Sequence, residues 1–362
     1  MNKAEKVYLW LSTFDFLHHK RLEALINIFD EKIEQIFDKF ETKKDLIIEV
    51  LGTEANYNKM LFARSDEYIE NYIKNLKNSN IEVVTRASNN FPKRLMEIDN
   101  PPYVLYCKGD LALLDVEGIA IVGTRKPTAY GRSVTELFSK ALAKNNFLII
   151  SGMASGIDSI AHRSALEQGK KTIAVLGGGF NYIYPASNNE LSRQIAENGL
   201  LVSEYKPSFQ PKSYTFIERN RIIAGLSKAV LIPEAGVASG SMHTKNFALD
   251  SGREVFAIPG PINNPMSEGT NGIIKRGNGV CVTEPDDILK YYEIETNPIK
   301  PQKLPQLSVD EMLIYQVLQD DESDFETLQE KTNLDTKILN SCLTSLQING
   351  LIKKLPGNKY TI

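Results

Sequence analysis

Between residues 118 and 260 the chain repeats one unit: a short unbroken apolar run, a turn of small residues, then a stretch with helical spacing. The runs are GIAIVG (118–123), FLIISG (147–152), TIAVLGG (172–178), LLVSEY (200–205), KAVLIPEA (228–235) and EVFAIPG (254–260). None alternates apolar with polar, as expected of strands covered on both faces. The segments SVTELFSKALAKN, IDSIAHRSALEQ, NELSRQIAEN, FIERNRIIAGL and MHTKNFALDSG separate them, at the spacing of βαβ units. The arrangement that accommodates this repeat is an α/β fold with an open, doubly wound parallel sheet.

The flanks read differently. IEVVTR (81–86) and YVLYCKGD (103–110) are strand-like and lie either side of a Pro-Pro join. Ahead of them, VYLWLSTF, KRLEALINIF, EKIEQIF and DEYIENYIKNLKN place apolar residues three and four apart, which predicts a small helical N-terminal domain over 1–78. The central α/β domain is expected over 79–292. Residues 293–306, EIETNPIKPQKLPQ, read as a Pro-rich linker. Residues 307–362 then give three helical patterns, a Gly turn and KYTI, the order of a winged-helix-like module.

The chain has 362 residues, 42% of them hydrophobic, enough for more than one core. It lacks an apolar run long enough for a membrane helix and a secretory pattern at its N-terminus, so a cytoplasmic location is expected. Cys107, Cys281 and Cys342 lie far apart, and His18 and His19 are neighbours, so neither a disulfide framework nor a metal site is expected. The formal net charge of −3 hides an asymmetry. Residues 118–260 hold 16 Lys and Arg against 10 Asp and Glu, whereas 307–362 hold 5 Lys against 9 acids. A polyanion would meet the middle and be repelled by the C-terminal module, for which protein contact is the better expectation.

Ligands of open α/β sheets bind at the carboxyl ends of strands. Four ends are rich in Gly or Ser: Gly123-Thr124-Arg125, Ser151 to Gly156, Gly177-Gly178-Gly179, and Glu234-Ala235-Gly236 with Ser239-Gly240-Ser241. Together they predict a rim that binds phosphate. Arg125 has a fork that suits phosphate. Asp158 and His162, four apart on a helix, read as holding each other and the helix start. Lys212, Tyr214 and Phe216 interleave a cation with rings, and Arg219 and Arg221 follow near a helix start, a mixture suited to single-stranded nucleic acid. No metal-protease, P-loop or nucleophile-elbow motif occurs, and no cofactor is called for.

Seven blocks in order, VGTRKPTAYG, SGMASGIDSIAH, TIAVLGGGFNYIYPASNNEL, SEY, FIERNRIIAGLS, EAGVASGSMHTKNFALDSGREVFAIPG and EGTNGIIKRG, resemble the DNA-processing protein A (DprA/Smf) family over residues 80–290. The resemblance implies a Rossmann-like core that binds single-stranded DNA and acts as a homodimer. It implies a non-enzymatic mediator that protects single strands and helps load the recombinase RecA during DNA uptake. The residues it assigns to DNA are Gly123, Arg125, Gly152, Lys212, Phe216, Arg219, Asn220, Arg221, Ser239 and Gly240. The helical N-terminus matches the sterile-alpha-motif or helix-hairpin-helix-like part of that layout, but the Gly-x-Gly hairpin is replaced by TFDFLHHKRLEAL. Two other readings remain. One is an enzyme on a nucleotide derivative, phosphoribohydrolase-like, with Glu234 as its acid. The other is a winged-helix regulator with a ligand-sensing core.

Overall fold

The computed structural model describes residues 1–294, 307–320, 322–355 and 357–361. They form two compact units that divide after Ile294. The linker expected over 293–306 falls, from residue 295, outside the described residues.

The first unit opens with helices α1 (Lys3–Ser12), α2 (His19–Ile28), α3 (Ile33–Asp38), α4 (Lys44–Leu51), α5 (Glu54–Phe62) and α6 (Asp66–Asn78). Asn2 and Glu5 close a capping box on α1, and Thr53 and Ser65 cap α5 and α6. The sequence patterns leave out α4 and α5. Helix α5 buries only Tyr57 and Met60, too few apolar positions to set up a visible period. Trp10 packs edge-on against Phe14, Phe37 and Phe40 at 5.4–5.8 Å between ring centres.

The strands of this unit are β1 (Glu82–Thr85), β2 (Val104–Gly109), β3 (Gly118–Ile121), β4 (Leu148–Ser151), β5 (Thr172–Leu176), β6 (Leu200–Ser203), β7 (Ala229–Ile232), β8 (Glu254–Ala257) and β9 (Val280–Cys281). They form one sheet in the order β1-β2-β6-β5-β4-β3-β7-β8-β9. From β6 to β9 every pairing is parallel, while β1 and β2 add an antiparallel margin. The two-residue β9 is too short to announce itself in sequence.

Helices α7 (Ala129–Lys144), α8 (Ile157–Glu167), α9 (Asn189–Asn198), α10 (Ser213–Leu226), α11 (Ser241–Asp250), α12 (Glu268–Lys275) and α13 (Pro285–Tyr291) cover the sheet. Alternate strand residues feed two cores. Ile119, Ile121, Ile149 and Leu231 meet Phe138, Leu142, Ala161 and Ile288 from α7, α8 and α13. Ala120, Ile150, Val230 and Ile232 meet Ile222, Leu226 and Ala248 from α10 and α11. Helices on both faces are what the unbroken apolar runs require. β2 divides likewise: Leu105 and Cys107 join the sheet core, whereas Val104 and Tyr106 join the core of α1–α6.

The second unit has helices α14 (Val309–Asp320), α15 (Phe325–Thr332) and α16 (Thr336–Ile348). Strands β10 (Ser323–Asp324), β11 (Lys353–Leu355) and β12 (Lys359–Thr361) form a small antiparallel sheet. This is the winged-helix arrangement, closed around Ile314, Leu328, Leu343 and Tyr360. Among the described residues no helix is long and apolar enough to cross a membrane, and no cluster of His, Cys, Asp or Glu could hold a metal.

Candidate functional site

The crossovers reverse direction between β3 and β7: β4, β5 and β6 follow on one side of β3, and β7, β8 and β9 on the other. Loops leaving the carboxyl ends of β3 and β7 therefore part there, and such a switch point is where open α/β sheets place a ligand. A crevice of about 670 Å³ occupies it. Val122 to Arg125 form one lip, and Gly236 to Ser241, entering α11, form the other. Phe216, Ile217, Arg219 and Asn220 of α10 line it as well.

Of the four Gly- and Ser-rich ends expected to form a rim, these two frame the crevice, and the end of β4 reaches it only through Ala154. The chain itself fills the others. After β4, the Arg219 guanidinium occupies the space beside Gly152, where a Cβ would stand 2.7 Å from its nitrogens. After β5, the Gly177-Gly178-Gly179 turn receives residues 206–216. Cβ atoms on these glycines would meet Phe216 at 2.6 Å, Pro211 at 2.8 Å and the Lys206 carbonyl at 2.2 Å. The triple glycine is a seat for protein, and the expectation of a phosphate-binding turn there is corrected.

The two arginines of the RNR block lie mid-helix, because α10 begins at Ser213, three residues before the expected start. Arg219 is only 4% exposed. It donates to the carbonyl oxygens of Gly152 and Val175, and its Nε donates to Asn220 Oδ1 at 3.2 Å. Burial pushes its guanidinium down to about 10; Asp158 opposes the shift and Arg125 adds to it. It remains charged near neutrality and ties the ends of β4 and β5 into the crevice floor. Arg221 lies outside the crevice lining, buried and ion-paired with Glu204. Asn220 Nδ2 reaches the Gly240 carbonyl at 3.4 Å, joining α10 to the opposite lip.

Arg125 is exposed and has no ion pair among the described residues. Its guanidinium lies 6.0 Å from the centre of the Phe216 ring, and Tyr184 packs on the same ring at 5.3 Å. Lys212 stands just outside, 5.9 Å from the ring centres of both Phe209 and Tyr214. Ser239 Oγ shares a hydrogen bond with Ser241 Oγ at 2.8 Å and orders the turn into α11. A phosphate placed there would meet a helix N-terminus on one lip and the Arg125 guanidinium on the other. Rings beside it would stack bases.

Gly123, Arg125, Phe216, Arg219, Asn220, Ser239 and Gly240 thus line one crevice, whereas Gly152, Lys212 and Arg221 do not. Sequence reasoning missed Tyr184, Val237, Met266 and Glu268. Tyr184 sits in NYIYP behind the triple glycine, where ring followed by proline was the available signal.

Asp158 and His162 do not hold each other. Asp158 accepts from the Ala154 N–H at 3.3 Å, and burial raises its carboxyl while Arg219 opposes the shift. Thr172 Oγ1 donates to the Ile149 carbonyl and accepts from His162 Nδ1 at 2.8 Å. Burial pushes that imidazole down to about 3, so it is neutral. Glu234 is buried, and its carboxylate accepts from the Thr128 N–H at 2.8 Å and hydroxyl at 2.6 Å. It anchors the start of α7.

The profile of the DNA recombination-mediator protein A family matches residues 82–293, and that of the DprA winged helix domain matches 298–358. Protein Smf of Escherichia coli is 43% identical over 216 residues, 59% of this chain and 58% of that protein's length. The X-ray structure of DNA processing protein A from Streptococcus pneumoniae superposes with a TM-score of 0.67 at 32% identity, over 82% of this chain and 99% of that one. DNA processing protein A from Helicobacter pylori, solved for its single-stranded DNA binding mode, superposes at 0.54 and 34% identity, over 59% and 95%. With its α/β core and winged-helix unit both matched, the chain belongs to the DNA recombination-mediator protein A family.

Proposed function

We propose that this protein binds single-stranded DNA across the switch-point crevice, with no catalytic turnover. The observation that carries the reading is Arg125, exposed above the Phe216 ring and without an ion pair among the described residues, at the place where two Gly-rich strand ends frame the crevice. The single-stranded DNA binding of the relative from H. pylori supports it. In this reading Arg125, Ser239, Gly240 and Phe216 touch the strand, and Lys212 guards its approach. Arg219, Asn220 and Gly152 build the floor, and Arg221 braces the segment behind it. The enzymatic alternative loses its candidate acid, because both oxygens of Glu234 serve Thr128.

Membership of the family supports a wider reading. The protein coats exposed single strands and helps load RecA recombinase on them, as a homodimer in the cytoplasm, in recombination and DNA uptake. Residues 79–292 hold the DNA, 1–78 support them, and 307–362 contact protein. The test is fluorescence anisotropy with a labelled oligo-dT of about 30 nucleotides, several times the roughly 4–16 that single-strand sites cover. Binding that weakens steeply with salt and resists duplex competition is expected. Preference for duplex, or for a mononucleotide, sinks the reading. A strand-exchange assay with RecA then tests loading.

A further inference from the structure

We propose that the N-terminal helical layer acts on the DNA site without touching DNA, through Lys206, a positioning residue that pins the aromatic and cationic segment leading into the crevice. The inference rests on the single-stranded DNA reading given above.

Residues 205–212, between β6 and α10, have no regular structure. The triple-glycine turn holds one side of this segment: Gly179 N–H donates to the Phe209 carbonyl at 2.9 Å, and Asn181 N–H to that of Pro207 at 3.0 Å. Phe209 stacks on Tyr205 at 4.5 Å and carries Lys212 over its ring. The segment runs into α10, whose first turn brings Phe216 to the crevice. Lys206 reaches instead to the helices. Its ammonium donates to the Thr13 carbonyl at 2.8 Å and pairs with Asp15 at 3.0 Å, just past the end of α1. The lysine side chain is 20% exposed. Thr13 is itself fixed: its N–H and its hydroxyl both donate to the Trp10 carbonyl, and Trp10 is locked among three phenylalanines.

The clasp therefore joins a rigid aromatic core to a segment without secondary structure that borders the crevice and leads into Phe216. The Lys206 charge is compensated by Asp15, so little of it is left for a phosphate. Releasing the clasp lets the segment sample other positions. DNA must then order it on binding, and affinity falls although no DNA contact has been removed.

The experiment compares the full-length protein with Lys206→Met, Lys206→Arg, Asp15→Asn and Lys212→Met. Anisotropy with the labelled oligo-dT is read over a salt series, and hydrogen exchange of residues 205–212 without DNA. Lys206→Met is expected to weaken binding about five- to tenfold, part of the worth of the charge-assisted hydrogen bond it removes, with the salt slope unchanged. Lys206→Arg restores affinity, and Asp15→Asn loses part of it. Lys212→Met lowers the slope by about one, as a phosphate contact does. The Phe209 amide, which donates to the Lys206 carbonyl at 2.9 Å, exchanges faster in Lys206→Met. Unchanged affinity overturns the proposal, and so does a slope lowered by one, which would make Lys206 a DNA ligand. If the unsubstituted protein does not bind the oligonucleotide, the site reading fails instead. The exchange measurement still decides the clasp, since unaltered exchange in Lys206→Met removes it.

Discussion

Arg219 faces two backbone carbonyls from within the floor of the crevice, while Arg125 stands in solvent over Phe216. The same guanidinium serves structure in one place and is left open to a ligand in the other, and burial decides which. Removing Arg219 leaves two acceptors without a donor and takes from the buried Asp158 the largest of the charges that compensate it. Arg219→Met should cost about 3 kcal/mol and lower the melting temperature by roughly 6–12 °C in a scanning calorimeter. Arg125→Glu should leave melting nearly unchanged and weaken oligonucleotide binding on the order of tenfold or more, measured by anisotropy. If the two variants exchanged phenotypes, the assignment of floor and lip would be reversed.

Elements act on the site through the turns that join them. The turn after β5 is shaped to accept Phe216, so Gly177→Ala places a methyl 2.6 Å from that ring. The ring must shift, at about 1–3 kcal/mol, and oligonucleotide affinity should fall with the salt slope intact. A reduced slope would mean that a phosphate contact had gone too. The six apolar runs were legible because continuous burial on both faces leaves no other pattern. The closed turns were not, because what fills them comes from far along the chain. Nothing near Gly152 in sequence says that a guanidinium 67 residues away will occupy its space. The same limit hid the Glu204 partner of Arg221. It also hid Thr172, which takes the His162 bond that sequence spacing assigned to Asp158.

Across the whole molecule, charge is uneven along the chain, with an excess of cations over residues 118–260 and an excess of acids over 307–362. The two units have separate cores, and Met1–Ile294 is compact by itself. A fragment ending at Ile294 should therefore bind oligo-dT with undiminished affinity, read by anisotropy at matched salt. A large loss would move DNA contact to residues 307–362.

The divided strand β2 has a consequence for how such a chain can change over generations. Its alternate side chains belong to two cores, with the Tyr106 hydroxyl bonded to Ser12 of α1 at 2.7 Å while Leu105 faces the sheet's helices. The C-terminal unit can be exchanged or discarded at the Pro-rich stretch with neither of these cores touched. The N-terminal helices have no such freedom, because a replacement must fit the pattern already written into one side of β2. Evolutionary tinkering is thus cheap at one end of the protein and dear at the other.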